Sequence, residues 1–187
     1  METLYIKNMV CDRCKMAVDQ TLRDMGIHPL SVELGEVRIA DDLPAEERAR
    51  LRPALAKLGF ELLDDRRQRT IEQMRQAIIR LVHYRDNNST LNLSGYLSSQ
   101  LHQDYSALSK LFSEVEGKTV ERYYMEQRIE RVKELIKYDE LSLTQIALQM
   151  NYSSVAYLSS QFKSVTGMTP TQFKALKRNL RKSLDKV

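Results

Sequence analysis

Apolar and polar positions along the chain follow one rhythm up to about residue 66 and another beyond it. Leu4-Tyr5-Ile6 reads as a short strand. From Cys14 to Met25 the apolar Met16, Val18, Leu22 and Met25 predict a helix, with Gly26 as its cap. Leu30 to Leu34 alternates, Gly35-Glu36 can turn, and Val37-Arg38-Ile39 alternates again, which predicts a hairpin. Pro44 stands near the first turn of a second helix, Ala45 to Leu58, which Gly59 stops. Pro53 inside that stretch predicts a kink. Phe60-Glu61-Leu62-Leu63 reads as a last strand.

The order β-α-β-β-α-β is the split βαβ, or ferredoxin-like, arrangement. Asp64-Asp65-Arg66-Arg67-Gln68-Arg69 then forms a charged boundary. Beyond it Ile71, Met74, Ile78, Leu81 and Val82 recur mostly at three and four residues, an amphipathic helix to about Tyr84. Asp86-Asn87-Asn88-Ser89 closes it as a loop, and only helices are predicted after that. The expected fold is an α+β ferredoxin-like domain over 1–65, a linking helix and loop over 66–88, and an all-α domain over 89–187.

The all-α part repeats. Residues 93–123 match 143–173 at an offset of 50: Leu93 meets Leu143, Leu108 meets Leu158, Ser109 meets Ser159, Phe112 meets Phe162, Val115 meets Val165, Gly117 meets Gly167 and Thr119 meets Thr169. A fixed period means that one supersecondary unit occurs twice. The second copy is clearest. Ser142 caps a short helix through Gln149, Met150-Asn151-Tyr152 turns, Ser153 or Ser154 caps a longer helix to Val165, and Gly167 ends it before Thr169-Pro170. Two short helices joined by a tight turn make a helix-turn-helix, whose second helix can enter a major groove. The long helix Val120 to Lys137 would set the spacing of the two copies, ~34 Å if both face one side of a duplex.

Several segments resemble the AraC/XylS family: Leu108-Ser109-Lys110-Leu111-Phe112, Arg128 to Leu135, Ile146-Ala147, and Phe162 to Pro170. The likeness covers roughly the last half of the chain, about Leu93 to Arg178. It implies transcriptional regulation through the two recognition helices, with promoter-region DNA as the partner and RNA polymerase as a candidate partner. Carried over by position, the groove-facing residues are Ser106, Ser109 and Lys110 in the first copy and Val155, Ala156, Tyr157 and Ser160 in the second, with Lys163 as a phosphate contact. The place of Ser160 often holds Arg in this family, and Val155 and Ala156 replace polar readers. Only Lys110 offers a strong base-edge donor. These departures point to weak sequence specificity, or to protein contacts. Leu108, Leu111, Phe112, Leu158 and Phe162 are expected in the core, and Lys163, Lys174, Lys177, Arg178, Arg181 and Lys182 on a solvated basic face with some phosphate contacts.

The two cysteines, Cys11 and Cys14, lie between the first strand and the first helix. A thiol at a helix N-terminus is expected to have a lowered pKa, which favours soft-metal binding. Met9-Val10-Cys11-Asp12-Arg13-Cys14, with Leu58-Gly59-Phe60, is similar to the heavy-metal-associated domain of copper chaperones and metal-transport ATPases over about 60 residues. That resemblance implies metal held by Cys11 and Cys14. Two thiolates suit Cu(I), whereas Zn(II) would want more ligands from Asp12, His28 or a second chain. An inert pair and a redox pair stay open beside the metal reading. His28, His83 and His102 show no metal-ligand spacing and are expected at the surface or packed.

Charge adds to the division. Residues 1–68 carry 11 Lys/Arg against 13 Asp/Glu, and residues 69–187 carry 18 against 12, so the basic excess of this 187-residue chain lies in the part with the repeat. No apolar run approaches the ~20 residues of a membrane span, and no secretory leader pattern opens the sequence, which predicts a cytoplasmic protein without a membrane partner. A Gly-rich phosphate loop, a nucleophile elbow and catalytic metal spacing are absent from the sequence, so an enzyme is not expected. The expected function is a DNA-binding transcriptional regulator responsive to a soft metal. The alternative is a metal-handling or adaptor protein whose helical module holds a protein partner.

Overall fold

A computed structural model describes residues 1–176 and 181–187. They fall into two compact units, Met1–Gln76 and Ala77–Val187.

The first unit runs β1 (Glu2–Lys7), α1 (Asp12–Asp24), β2 (Pro29–Glu33), β3 (Glu36–Ile39), α2 (Ala45–Lys57) and β4 (Glu61–Leu63), then enters α3 (Arg66–Ile79). Its four strands form one antiparallel sheet in the order β2-β3-β1-β4. Leu4 and Ile6 of β1, Val37 and Ile39 of β3 and Leu62 of β4 meet Val18 and Leu22 of α1 and Leu51 and Leu55 of α2 in one core.

Two local expectations change. Met16 is 71% exposed, because the buried stripe of α1 runs through Val18 and Leu22 with Cys14, Ala17 and Met25 beside it. The hairpin turns at Leu34-Gly35 rather than Gly35-Glu36: Gly35 takes φ +80°, while Leu34 is drawn into the core. Helix α2 runs from Ala45 to Lys57 with Pro53 inside it, as the sequence places it.

The second unit begins within α3, which gives way at Arg80–Tyr84 to a π-helical turn. Then follow α4 (Leu93–Leu101), α5 (Tyr105–Glu116), α6 (Val120–Tyr138), α7 (Leu143–Gln149), α8 (Val155–Thr166) and α9 (Pro170–Ala175). The 50-residue offset is carried by element starts: Leu93 and Leu143, Tyr105 and Val155, Val120 and Pro170. It is carried by caps too. Asn92 and Ser142, Asp104 and Ser154, and Thr119 and Thr169 each accept a backbone N–H of the first turn, and Gly117 and Gly167 close α5 and α8 at φ +67° and +79°. The long α6 packs against α5, α7, α8 and α9. Phe112 meets Tyr123 at a tilt and Phe162 meets Phe173 edge-on, with centroids 5.5 and 5.4 Å apart. Leu108, Phe112, Leu158 and Phe162 are buried and Leu111 is half-buried.

Candidate functional site

Helices α5 and α8 each bury one stripe and expose another. The buried stripe is Leu108-Phe112 in α5 and Leu158-Phe162 in α8. Four-residue spacing then places Ser106, Lys110 and Glu114 together on the outer face of α5, and Ala156, Ser160 and Ser164 on that of α8, all exposed. At an offset of 50 these stripes coincide residue for residue. Lys163 and Tyr157 flank the second stripe, and Tyr157 is 48% exposed. Its hydroxyl accepts Gln161 Nε2 at 2.8 Å, and its ring meets Tyr152 edge-on at 6.0 Å, so the side chain is held in place.

Not every expected residue stands free on that face. Val155 and Ser109 are half-buried, because each starts or borders the packed side of its helix. The Ser106 hydroxyl donates to the capping carboxylate of Asp104, whose Oδ2 also accepts Ser106 N–H at 2.9 Å and Ala107 N–H at 3.2 Å. These bonds hold Asp104 below the usual carboxylate range. Ser164 joins the stripe without having been singled out from the sequence. Its place four residues after Ser160 is the signal that could have found it.

The basic face also changes. Lys163 and Lys174 are exposed, with Lys174 paired to Asp139. Arg181 is drawn onto α6, 3.2 Å from Glu134, and the Lys182 N–H donates to Glu130 Oε2 at 3.0 Å. Lys177 and Arg178 lie outside the described residues.

Residues 97–176 match a family described as a helix-turn-helix domain. Over 123 residues the chain is 29% identical to an uncharacterized HTH-type transcriptional regulator of Staphylococcus aureus, which covers 53% of this chain and 16% of that protein. It is 30% identical over 71 residues to the uncharacterized HTH-type transcriptional regulator YdeC of Bacillus subtilis, covering 38% of this chain and 24% of that one. The chain thus spans well under a third of the length of these relatives. In fold it is similar to the C-terminal domain of AraT, a response regulator from Geobacillus stearothermophilus, with a TM-score of 0.51, 22% identity, and coverage of 63% of this chain and 95% of that one.

Away from the helix-turn-helix domain, Cys11 is the N-cap of α1 and Cys14 lies in its first turn. The two sulfurs are 3.4 Å apart and both residues are half-buried. The backbone N–H of Cys14 donates to Cys11 O at 3.0 Å, which fixes the turn that brings the thiols together. The expected lowering of the thiol pKa is not met at Cys14. Burial pushes it up, and the bond with Cys11 adds to this. Asp12 pairs with Lys15 at 3.0 Å and His28 is exposed. Among the described residues no group of three or more His, Cys, Asp or Glu side chains is gathered, so neither Asp12 nor His28 completes a larger ligand set. Two soft sulfur donors side by side on one turn are a donor set that fits a soft ion.

His83 is packed: a ring nitrogen lies 2.9 Å from Gln127 Oε1. His102 is exposed, in the left-handed region at φ 54° between α4 and α5. Among the described residues no helix is long and apolar enough to cross a membrane.

Proposed function

We propose that this chain is a DNA-binding transcriptional regulator of the AraC type, in which α5 and α8 enter two major grooves. The observation that carries this reading is the pair of exposed stripes, in register at 50 residues, on the second helix of each helix-turn-helix. Lys110 is the strong base-edge donor, suited to guanine O6 and N7. Ser160 and Ser164 supply single hydroxyl contacts, Tyr157 an aromatic surface with a hydroxyl, and Lys163 a phosphate contact. Ser106 works mainly at the cap of α5. Promoter DNA is the partner, with RNA polymerase a candidate beyond it.

The unit Met1–Gln76 is read as a ferredoxin-like, heavy-metal-associated domain. Its βαββαβ order and β2-β3-β1-β4 sheet support that reading. Cys11 and Cys14 would hold one soft ion such as Cu(I), which would join the two thiolates. The two-sulfur ligand set favours it over Zn(II).

The test is a duplex selected from a random pool by the purified protein, then titrated beside a scrambled duplex at several salt concentrations. A selected sequence that binds at least ~100-fold more tightly than the scrambled one supports the regulator, since specific binding commonly exceeds non-specific by ~1,000-fold or more. Equal and weak binding to every sequence would overturn it and favour the adaptor reading, for which the exposed Glu114 on the α5 stripe is the motivating observation.

A further inference from the structure

The domain match begins at residue 97, yet the second helix-turn-helix is held by a side chain ten residues upstream of it. Met150 is the C-cap of α7, and its carbonyl is one that the helix itself leaves without a partner. Two side chains converge on it from outside the helix: Asn87 Nδ2 donates at 3.2 Å and Arg128 Nη2 at 2.9 Å. Asn87 Oδ1 in turn accepts the Tyr124 hydroxyl of α6. The Arg128 guanidinium lies 3.8 Å from the centre of the Tyr152 ring, the residue that leaves the turn toward α8. Asn87, Arg128, Met150 and Tyr152 are all buried.

Asn87 is itself fixed in an uncommon conformation. Asp86 and Asn87 take φ 46° and 60°, a left-handed pair that persists only where surroundings over-determine it. Here they do. Asn87 N–H donates to Leu81 O in the π-helical turn at 2.8 Å, and Arg131 holds the Asp86 carboxylate at 2.8 and 3.2 Å. The first repeat differs at the corresponding place: Gln100 is an exposed residue inside α4.

We propose that Asn87 is a positioning residue for the second recognition helix. Through the Met150 carbonyl it sets the turn from which α8 departs, and the first recognition helix does not depend on it. The consequence for DNA rests on the regulator reading above.

Two variants test it. Asn87→Gly keeps the backbone freedom that φ 60° requires and removes both side-chain bonds. Tyr124→Phe removes one of those bonds and leaves the ring, so it serves if the glycine variant does not fold. Each is footprinted on the selected duplex, with Lys110→Ala marking the half-site under α5. We expect Asn87→Gly to weaken protection of the α8 half-site at least ten-fold more than that of the α5 half-site. Tyr124→Phe should shift the ratio the same way by a smaller factor, and Asn88→Ala, at an exposed neighbour, should leave it unchanged. Proportional loss at both half-sites, or no loss in a folded variant, overturns the proposal. If the wild type selects no duplex, the regulator reading fails separately, and hydrogen exchange then decides. The amides of 150–157 should exchange at least ten-fold faster in Asn87→Gly while those of 101–107 keep their rates, and an equal change in both segments overturns the positioning role.

Discussion

A lysine that reaches a phosphate and one that reaches a guanine edge leave different traces in a titration. Lys110 stands in the middle of the exposed stripe of α5, whereas Lys163 stands in the last turn of α8, at the flank of its stripe. Among the described residues neither has an ion-pair partner, so both are available to DNA. Lys163→Ala is expected to weaken binding to all duplexes alike and to reduce the slope of log K against log salt by about 1. Lys110→Ala is expected to cost ~1–3 kcal/mol on the selected duplex and to relax preference at one base position. A panel of single-base variants at two salt concentrations separates the two, and identical profiles would remove the division of roles. At this scale the sequence was readable where helical spacing alone decides, as for Leu108, Phe112, Leu158 and Phe162 inside and Lys110 and Ser160 outside. It was less readable at the margins of a stripe. Val155 and Ser109 sit where a rotation of a few tens of degrees decides exposure, and Ser106 has the nearby Asp104 competing for its hydroxyl.

Among the elements, the π-helical turn Arg80–Tyr84 carries a histidine whose charge is opposed by its surroundings. Burial is the main cause that lowers the pKa of His83 to about 4. Arg131 and Arg181 add to the lowering, and Gln127 and Glu134 resist it. The folded value lies below the unfolded value of ~6.5, so the unfolded chain binds the proton more readily. The contribution is therefore fully present above pH ~6.5 and is lost as pH falls toward 4, on the order of 2 kcal/mol after discounting for partial exposure. Urea midpoints at pH 7 and pH 5 should differ more for the wild type than for His83→Gln, and equal pH dependence would remove His83 as the cause. The carboxylates held low in this unit, Asp104, Glu121, Glu126 and Glu134, lose their contribution in a lower window, so the difference between wild type and His83→Gln at pH 5 reports on the histidine. Element starts and caps were legible because capping is local: Ser142 and Thr169 each lie three residues before the N–H they accept. The hold of Asn87 on Met150 was not, since it joins positions 63 apart and no local pattern records it.

For the molecule as a whole, charge and thiols are segregated along the chain. The excess of acidic over basic residues lies before residue 69 with both cysteines, and the basic excess lies after it. The β-α-β-β-α-β order was legible from alternation and turn residues, but the ligand number was not, because a third ligand depends on what the fold brings near the thiols. Among the described residues nothing gathers there beyond Cys11 and Cys14. Two thiolates without a third ligand predict one Cu(I) per chain, and binding that displaces about two protons, since the ligating form is the thiolate. The need for thiolates makes that affinity fall as pH falls, and the raised pKa of Cys14 carries the fall to higher pH. Calorimetry in buffers of different ionisation enthalpy should show the proton release, and a Cys11→Ser, Cys14→Ser double variant should bind no Cu(I). Zn(II) bound as tightly as Cu(I), or Cu(I) retained by the double variant, would sink the two-thiolate site. The same protein and variant, titrated with the selected duplex with and without one equivalent of Cu(I), decide whether the site regulates. A shift in specific binding confined to the wild type makes the chain a metal-responsive regulator. Specific binding that ignores the metal leaves the helix-turn-helix domain reading DNA on its own terms, with the thiol pair serving another purpose.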